Sequence, residues 1–210
     1  MIRFIASFSA FVLLTAATAG ADDDEEIFSP GDHCVAYRTT KDILFAVDAE
    51  IIGKNCEVTA SLVASVGGAG PRIVVEVPIK RFKSRNFLRD RSVADLLGAK
   101  TQPKLRFTSK AIDVGALRAD LASGSFLVSG ALTIGGKDFP VEFPMEISER
   151  GGRQHVVGRL PTTFAAFEVE VPTVAGGLIA RPHEELELAV HLDLARVEGL
   201  EDWAREQGLP

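Results

Sequence analysis

The stretch Ile73–Ser109, IVVEVPIKRFKSRNFLRDRSVADLLGAKTQPKLRFTS, decides the fold. Ile73, Val75, Val77 and Ile79 are apolar at every second position, while Glu76 and Pro78 take the other face, which is the period of a half-buried strand. At the far end Leu105 and Phe107 face one way and Lys104, Arg106 and Thr108 the other. Between these strands Ser92 to Asp95 has the form of a capping box, in which each side chain satisfies a backbone N–H at the start of a helix. Val93, Leu96 and Leu97 then form one apolar stripe, Gly98 tolerates the left-handed conformation that ends helices, and Pro103 forbids more helix. Strand, short helix, strand is the unit from which the rest of the chain is read.

Moving toward the C-terminus, the same alternation recurs. Phe126, Val128, Leu132 and Ile134 share a face, Gly135-Gly136-Lys137-Asp138 turns, and Phe139, Val141, Phe143, Met145 and Ile147 return. Pro140 and Pro144 lie on the opposite face of that returning strand. Proline cannot donate to a ladder, so an irregular or free edge is expected beside them. Phe164, Phe167, Val169 and Val171 suggest a further strand with a bulge at Ala165-Ala166, and Leu186 to Leu194 a last one. Residues 198–210 have the spacing of a short helix, with Leu200 and Trp203 on one side.

Toward the N-terminus, Ile43 to Ile51 and Val58 to Val66 read as a hairpin turning at Gly53-Lys54-Asn55. The total is eight to ten antiparallel strands with one helix between strands, an all-β chain. Such strands close either as a packed sandwich or as a barrel with a lumen, and periodicity does not choose.

Met1–Ala19 carries one positive charge at Arg3, an apolar run from Phe4 to Ala17, and Ala17 and Ala19 as an A-x-A site: the pattern of a secretory signal peptide. It is shorter than the ~20 residues of a membrane span. Residues 20–33 begin with the acidic run Asp22 to Glu26 and are expected to be mobile. A soluble, exported mature chain follows as the expectation, with no integral membrane span.

The net charge is −6, which argues against nucleic acid, since phosphate backbones are held by basic patches. Aromatic usage is skewed: 13 Phe against one Trp and one Tyr. Phe lacks a polar handle and suits a wholly apolar interior, and an outer-membrane barrel would need aromatic girdles instead. His33, His155, His183 and His191 form no zinc motif and read as surface or loop residues, His191 on the polar side of its strand. No nucleophile elbow, P-loop or dinucleotide fingerprint is present, so no catalytic residue, metal site or cofactor is assigned. Cys34 and Cys56, an even pair in an exported chain, form a disulfide or remain free; the hairpin reading does not bring them face to face.

The segment Phe82–Ile112, FKSRNFLRDRSVADLLGAKTQPKLRFTSKAI, resembles the signature region of the YceI-like family in its Arg89-Asp90 pair, its helix and its spacing from Pro103 to Phe107. Leu132–Ile147, LTIGGKDFPVEFPMEI, resembles the family's next hairpin, and Arg159 to Val171 is a weaker match. The resemblance covers roughly residues 34–197. It implies a lipocalin-like antiparallel β-barrel that binds polyisoprenoid or related long-chain lipid without catalysis, with an isoprenoid quinone or a fatty-acid-like chain as further occupants. Phe45, Val47, Val75, Val77, Phe107, Phe126, Val128, Phe143, Met145 and Phe167 are then the expected lumen lining. Arg89 and Asp90 would either contact a head group at the mouth or order the loop beside the helix. A packed, ligand-free barrel acting as a periplasmic interaction or stress-response module is the alternative, and a homodimer is left open.

Overall fold

The computed structural model describes residues 27–43, 46–64, 70–171 and 180–209. Met1–Ala19 and Phe45 lie outside them. The strands are β1 (Cys34–Ile43), β2 (Ala46–Asn55), β3 (Thr59–Val63), β4 (Arg72–Pro78), β5 (Lys104–Ser109), β6 (Ser125–Ile134), β7 (Lys137–Arg150), β8 (Arg153–Thr163), β9 (Ala180–Pro182), β10 (Glu185–Asp193) and β11 (Val197–Glu198). They form one curled sheet in the order β11-β3-β4-β5-β6-β7-β8-β10-β1-β2, with β9 also pairing β1. Among the described residues every strand pairing is antiparallel except β11 with β3. The β2 edge reaches back to the segment after β4: Lys54 and Lys83 exchange backbone hydrogen bonds of 3.0 and 2.9 Å, and the Asn55 side-chain amide donates to Pro78 O. The architecture is the expected antiparallel barrel, with eleven strands among the described residues where eight to ten were expected; β9 and β11 are short additions to nine longer strands.

Among the described residues three α-helices decorate it: α1 (Phe87–Leu96), α2 (Val114–Ser123) and α3 (Leu200–Glu206). Two of them lie between strands, where the sequence reading had one. The missed one, α2, is capped at both ends: Asp113 accepts from the Ala116 N–H, and Gly124 closes the helix at φ +79°. The start of α1 also differs from the expected capping box. Asn86 is the cap, accepting from the Arg89 N–H, so the helix begins a turn and a half before Ser92. Ser92 is mid-helix and donates to Leu88 O, and Asp95 pairs with Lys100.

Two strand assignments are corrected. Gly53-Lys54-Asn55 is strand, not turn: β1 and β2 pair from Val35↔Asn55 to Ile43↔Ala46. Gly53 sits there because a Cβ would lie 2.1 Å from the Tyr37 ring. In this register Cys34 and Cys56 are neighbours after all, with sulfurs 2.00 Å apart and Cα atoms 4.1 Å apart. The penultimate long strand is β8, while Ala165–Phe167 is a 3-10 turn that buries Phe167. Pro140 and Pro144 behave as read. The β7–β8 ladder runs from Arg150 to Met145 and ends at Pro144, while the β6 side remains paired through both prolines.

Residues Ile27–His33 are not a mobile extension. Ile27, Phe28 and His33 are buried, and Phe28 joins Cys34, Ala36 and Ala189 in a small outer core. The larger cores lie on the inner face of the sheet, around Val75, Val77 and Leu192 at one side and Val141, Phe143 and Met145 at the other. Among the described residues no helix is long and apolar enough to cross a membrane.

Candidate functional site

Strand alternation sends one face of every long strand inward, and these faces enclose a cavity of about 1700 Å³. Eight of the ten expected lining residues are found on it: Val75 and Val77 from β4, Phe107 from β5, Phe126 and Val128 from β6, Phe143 and Met145 from β7, and Phe167 from the turn after β8. Phe45 lies outside the described residues, as does the side chain of Val47. Phe107 and Phe143 meet edge to face at 6.2 Å, and Phe139 meets Phe167 in the same way at 5.7 Å. Such pairs lock ring orientations in the wall.

Among the sources of lining that sequence reasoning missed are two rich in apolar side chains. One is β10, whose Leu186, Leu188, Val190 and Leu192 alternate inward; the alternation had been read, but not assigned to the lumen. The other is helical: α1 contributes Leu88, Val93 and Leu96, and α2 and α3 contribute Leu117, Leu121 and Trp203. Helices face a lumen with a 3.6 period, which strand alternation does not detect.

Three inward glycines shape the wall. A Cβ on Gly53 would strike Tyr37, one on Gly130 would lie 2.4 Å from Thr108 O and 2.7 Å from the Phe107 ring, and one on Gly158 would lie 2.2 Å from Met145 Sδ. Each glycine lets the large side chain beside it lie flat on the sheet.

Polar groups collect beside α1. The buried Ser84 donates its N–H to Asp90 Oδ1 at 2.9 Å, and its hydroxyl bonds the same oxygen. Arg89 donates from Nε to Ser84 Oγ at 2.7 Å and from its guanidinium to Ser84 O. Arg89 and Asp90 therefore clasp one serine and fix the loop before the helix, and Arg89 also borders the cavity. The Tyr37 hydroxyl, buried and outside hydrogen-bonding geometry, neighbours this group. Burial raises its phenol above the ordinary value, opposed by the Arg89 guanidinium.

A second polar cluster lies on the outer face, beneath residues 27–33. His33, His155, His191 and Asp193 are each at most 2% exposed, which corrects the surface reading of these histidines; His183 is half-buried and bonds Thr40 Oγ1 through Nδ1. His191 does sit on the outward side of its strand, but that side is covered: Phe28 stacks edge-on against it at 5.4 Å and His155 at 4.8 Å. Burial holds His33 below the ordinary imidazole range, reinforced by Arg196 and opposed by Asp193. For Asp32, burial pushes upward, but the Ser29 N–H and the Lys54 ammonium at 2.9 Å outweigh it and hold the carboxyl low. In Asp193 burial is likewise outweighed by Arg153 and the Ala195 N–H. Among the described residues the one grouping close enough to share a metal is Asp32, Cys34 and Cys56, and the disulfide removes both thiolates as donors.

The family model for the YceI-like domain matches residues 38–193. The chain belongs to the YceI-like family. No curated protein matches it significantly. Among solved structures, BcnA of Burkholderia cenocepacia is similar, with TM-score 0.54 at 24% identity over 75% of this chain and 94% of that one. The Campylobacter jejuni YceI protein aligns with TM-score 0.52 at 18% identity over 72% and 88%. A polyisoprenoid binding domain from Saccharophagus degradans, implicated in plant cell wall breakdown, aligns with TM-score 0.52 at 15% identity over 75% and 91%. At these identities the likeness is one of fold. The YceI-like barrel thus accounts for the strand order, and the lumen is the site to interpret.

Proposed function

We propose that this YceI-like protein carries or sequesters a long-chain apolar lipid, a polyisoprenoid, an isoprenoid quinone or a fatty-acid-like chain, in its lumen and without catalysis. The observation that carries the reading is the cavity itself, about 1700 Å³ and walled by Phe, Leu, Val and Met. Pockets for drug-sized ligands are about 300–1,000 Å³, so this space suits something longer. Association costs about 4–15 kcal/mol and each buried methylene returns about 0.8 kcal/mol, so roughly five to nineteen methylenes are needed to break even. Short ligands fail this condition and long flexible chains meet it. The YceI-like family membership and the polyisoprenoid binding domain among its structural neighbours support the same class. A packed barrel acting as an interaction module would need this space filled.

Export to the periplasm or beyond is part of the proposal. It is supported by the signal-like pattern of Met1–Ala19 and by the Cys34–Cys56 pairing, a bond that persists in oxidising compartments.

Native mass spectrometry of the protein from its own cells, followed by organic extraction, tests the reading. A stoichiometric long-chain lipid is expected. A protein that is empty as isolated and takes up no long isoprenoid or acyl chain refutes it, and conversion of the bound lipid into a new product refutes the non-catalytic part.

A further inference from the structure

We propose that the N-terminal end of α1 and the loop before it form a docking surface for anionic phospholipid bilayers, placed at the lumen entrance. The inference rests on the carrier reading for its purpose, but its physical basis is separate.

Residues 80–91, KRFKSRNFLRDR, hold six Lys and Arg against one Asp, a local net of +5 in a chain of net −6. Arg81 is spent on Glu57 and Arg89 on Ser84. Lys80, Lys83, Arg85 and Arg91 are exposed; among the described residues none of them forms a salt bridge, and Lys80 and Arg91 act on the Asp95 carboxylate, itself paired with Lys100, at longer range. In the middle of these cations stand Phe87 and Leu88, 76% and 73% exposed, the two most exposed large apolar residues among those described. Two adjacent bare apolar side chains ringed by cations are ill suited to water. They fit an interface where the cations meet lipid phosphates and the apolar pair enters the acyl boundary.

The location supplies the second argument. Leu88 is both exposed and part of the cavity lining, so it marks the rim of an opening. Asn86, the cap of α1, and Arg89, Ser92 and Val93 on the helix border the cavity as well. A bilayer held at Phe87 would face that opening, and a chain passing between membrane and lumen would avoid water. The loop is held for this by Asp90 and Arg89 on Ser84 and by the Lys54–Lys83 bridge, which present the patch on a fixed base.

The test is co-sedimentation of the purified protein with vesicles of phosphatidylglycerol and phosphatidylethanolamine, against vesicles of phosphatidylcholine alone, at low and high salt. The expected result is binding to the anionic vesicles that weakens with salt. Phe87→Ser should weaken it about tenfold or more, and Arg85→Glu with Arg91→Glu about fivefold or more for each charge. None of these three residues lines the cavity, so uptake of detergent-solubilised long-chain lipid and the melting temperature should stay as in the wild type. Absence of vesicle binding, equal binding to both vesicle types, or binding indifferent to these substitutions overturns the docking proposal. Failure of detergent-solubilised lipid uptake by the wild type overturns the carrier reading instead, so the two failures are told apart.

Discussion

Val128→Asp separates a lipid-filled lumen from a merely hollow one. Val128 faces the cavity from β6, half-buried, opposite Phe143 on β7. In the unliganded protein the new carboxylate shares the cavity with solvent and stays ionised. A hydrocarbon chain seated against it removes that solvent, and the carboxyl must then bind a proton. From an ordinary Asp value of about 3.9 this costs about 1.4 kcal/mol per pH unit, or about 4 kcal/mol at pH 7, a loss near 10³-fold in affinity. The loss should shrink tenfold for each unit of acidification toward pH ~4. Val128→Asn, which is polar but uncharged, should lose a smaller factor that does not vary with pH. The assay is titration with a fluorescent long-chain isoprenoid between pH 4.5 and 8, with thermal melts confirming that each variant is folded. Wild-type affinity in the Asp variant at pH 7, or equal pH-independent losses in both variants, would refute the assignment of this wall to ligand.

The outer histidine cluster predicts an acid-labile fold. Because burial lowers His33 in the native state, the unfolded chain binds more protons below about pH 6.5. Stability is then full above that value and falls as pH drops below it, levelling off beneath the folded value. Asp32 and Asp193, held low, add a separate loss below the ordinary carboxylate range; melting temperature against pH should show both limbs, and His33→Gln should weaken the first. Reduction of Cys34–Cys56, or Cys34→Ser with Cys56→Ser, opens a loop spanning 22 residues and should cost about 3 kcal/mol, read by chemical denaturation. Ser84→Ala removes the hydroxyl shared by Arg89 Nε and Asp90 Oδ1 while the backbone bonds to both remain, and should cost about 1–3 kcal/mol. Hydrogen exchange faster in residues 82–92 than elsewhere would locate that loss.

The lumen was legible because strand alternation is a two-fold pattern with few rivals: Val75, Phe107, Val128, Phe143 and Met145 were all assigned to the inside from spacing and resemblance, and all line the cavity. The first hairpin was misread because Gly53-Lys54-Asn55 has turn composition. The demand that put glycine there is the Tyr37 ring across the ladder, a long-range contact with no local signature. The helix start was misplaced because Ser92 and Asp95 resemble a cap, while Asn86 stands where a cap bonds an N–H three residues on. The helix α2 carried its own signals, Asp113 and Gly124, and could have been read. The histidines could not. Alternation placed His191 on the outward side correctly, and nothing in the period says that Phe28, far off in sequence, closes over that side.

The glycines opposite large side chains have an implication for how this barrel could be re-bored. At Gly130 and Gly158 an added methyl meets backbone carbonyls at 2.4 and 2.6 Å, so the wall itself resists thickening. The adjustable parts are the side chains lying on the glycines: Tyr37, Phe107 and Met145. Trimming any one of them should widen the cavity beside its glycine while leaving the ladder intact. At these three points the bore is limited by replaceable side chains, and at Gly130 and Gly158 they rest on backbone that leaves no room for a methyl, so ligand girth could be retuned there without any change of fold.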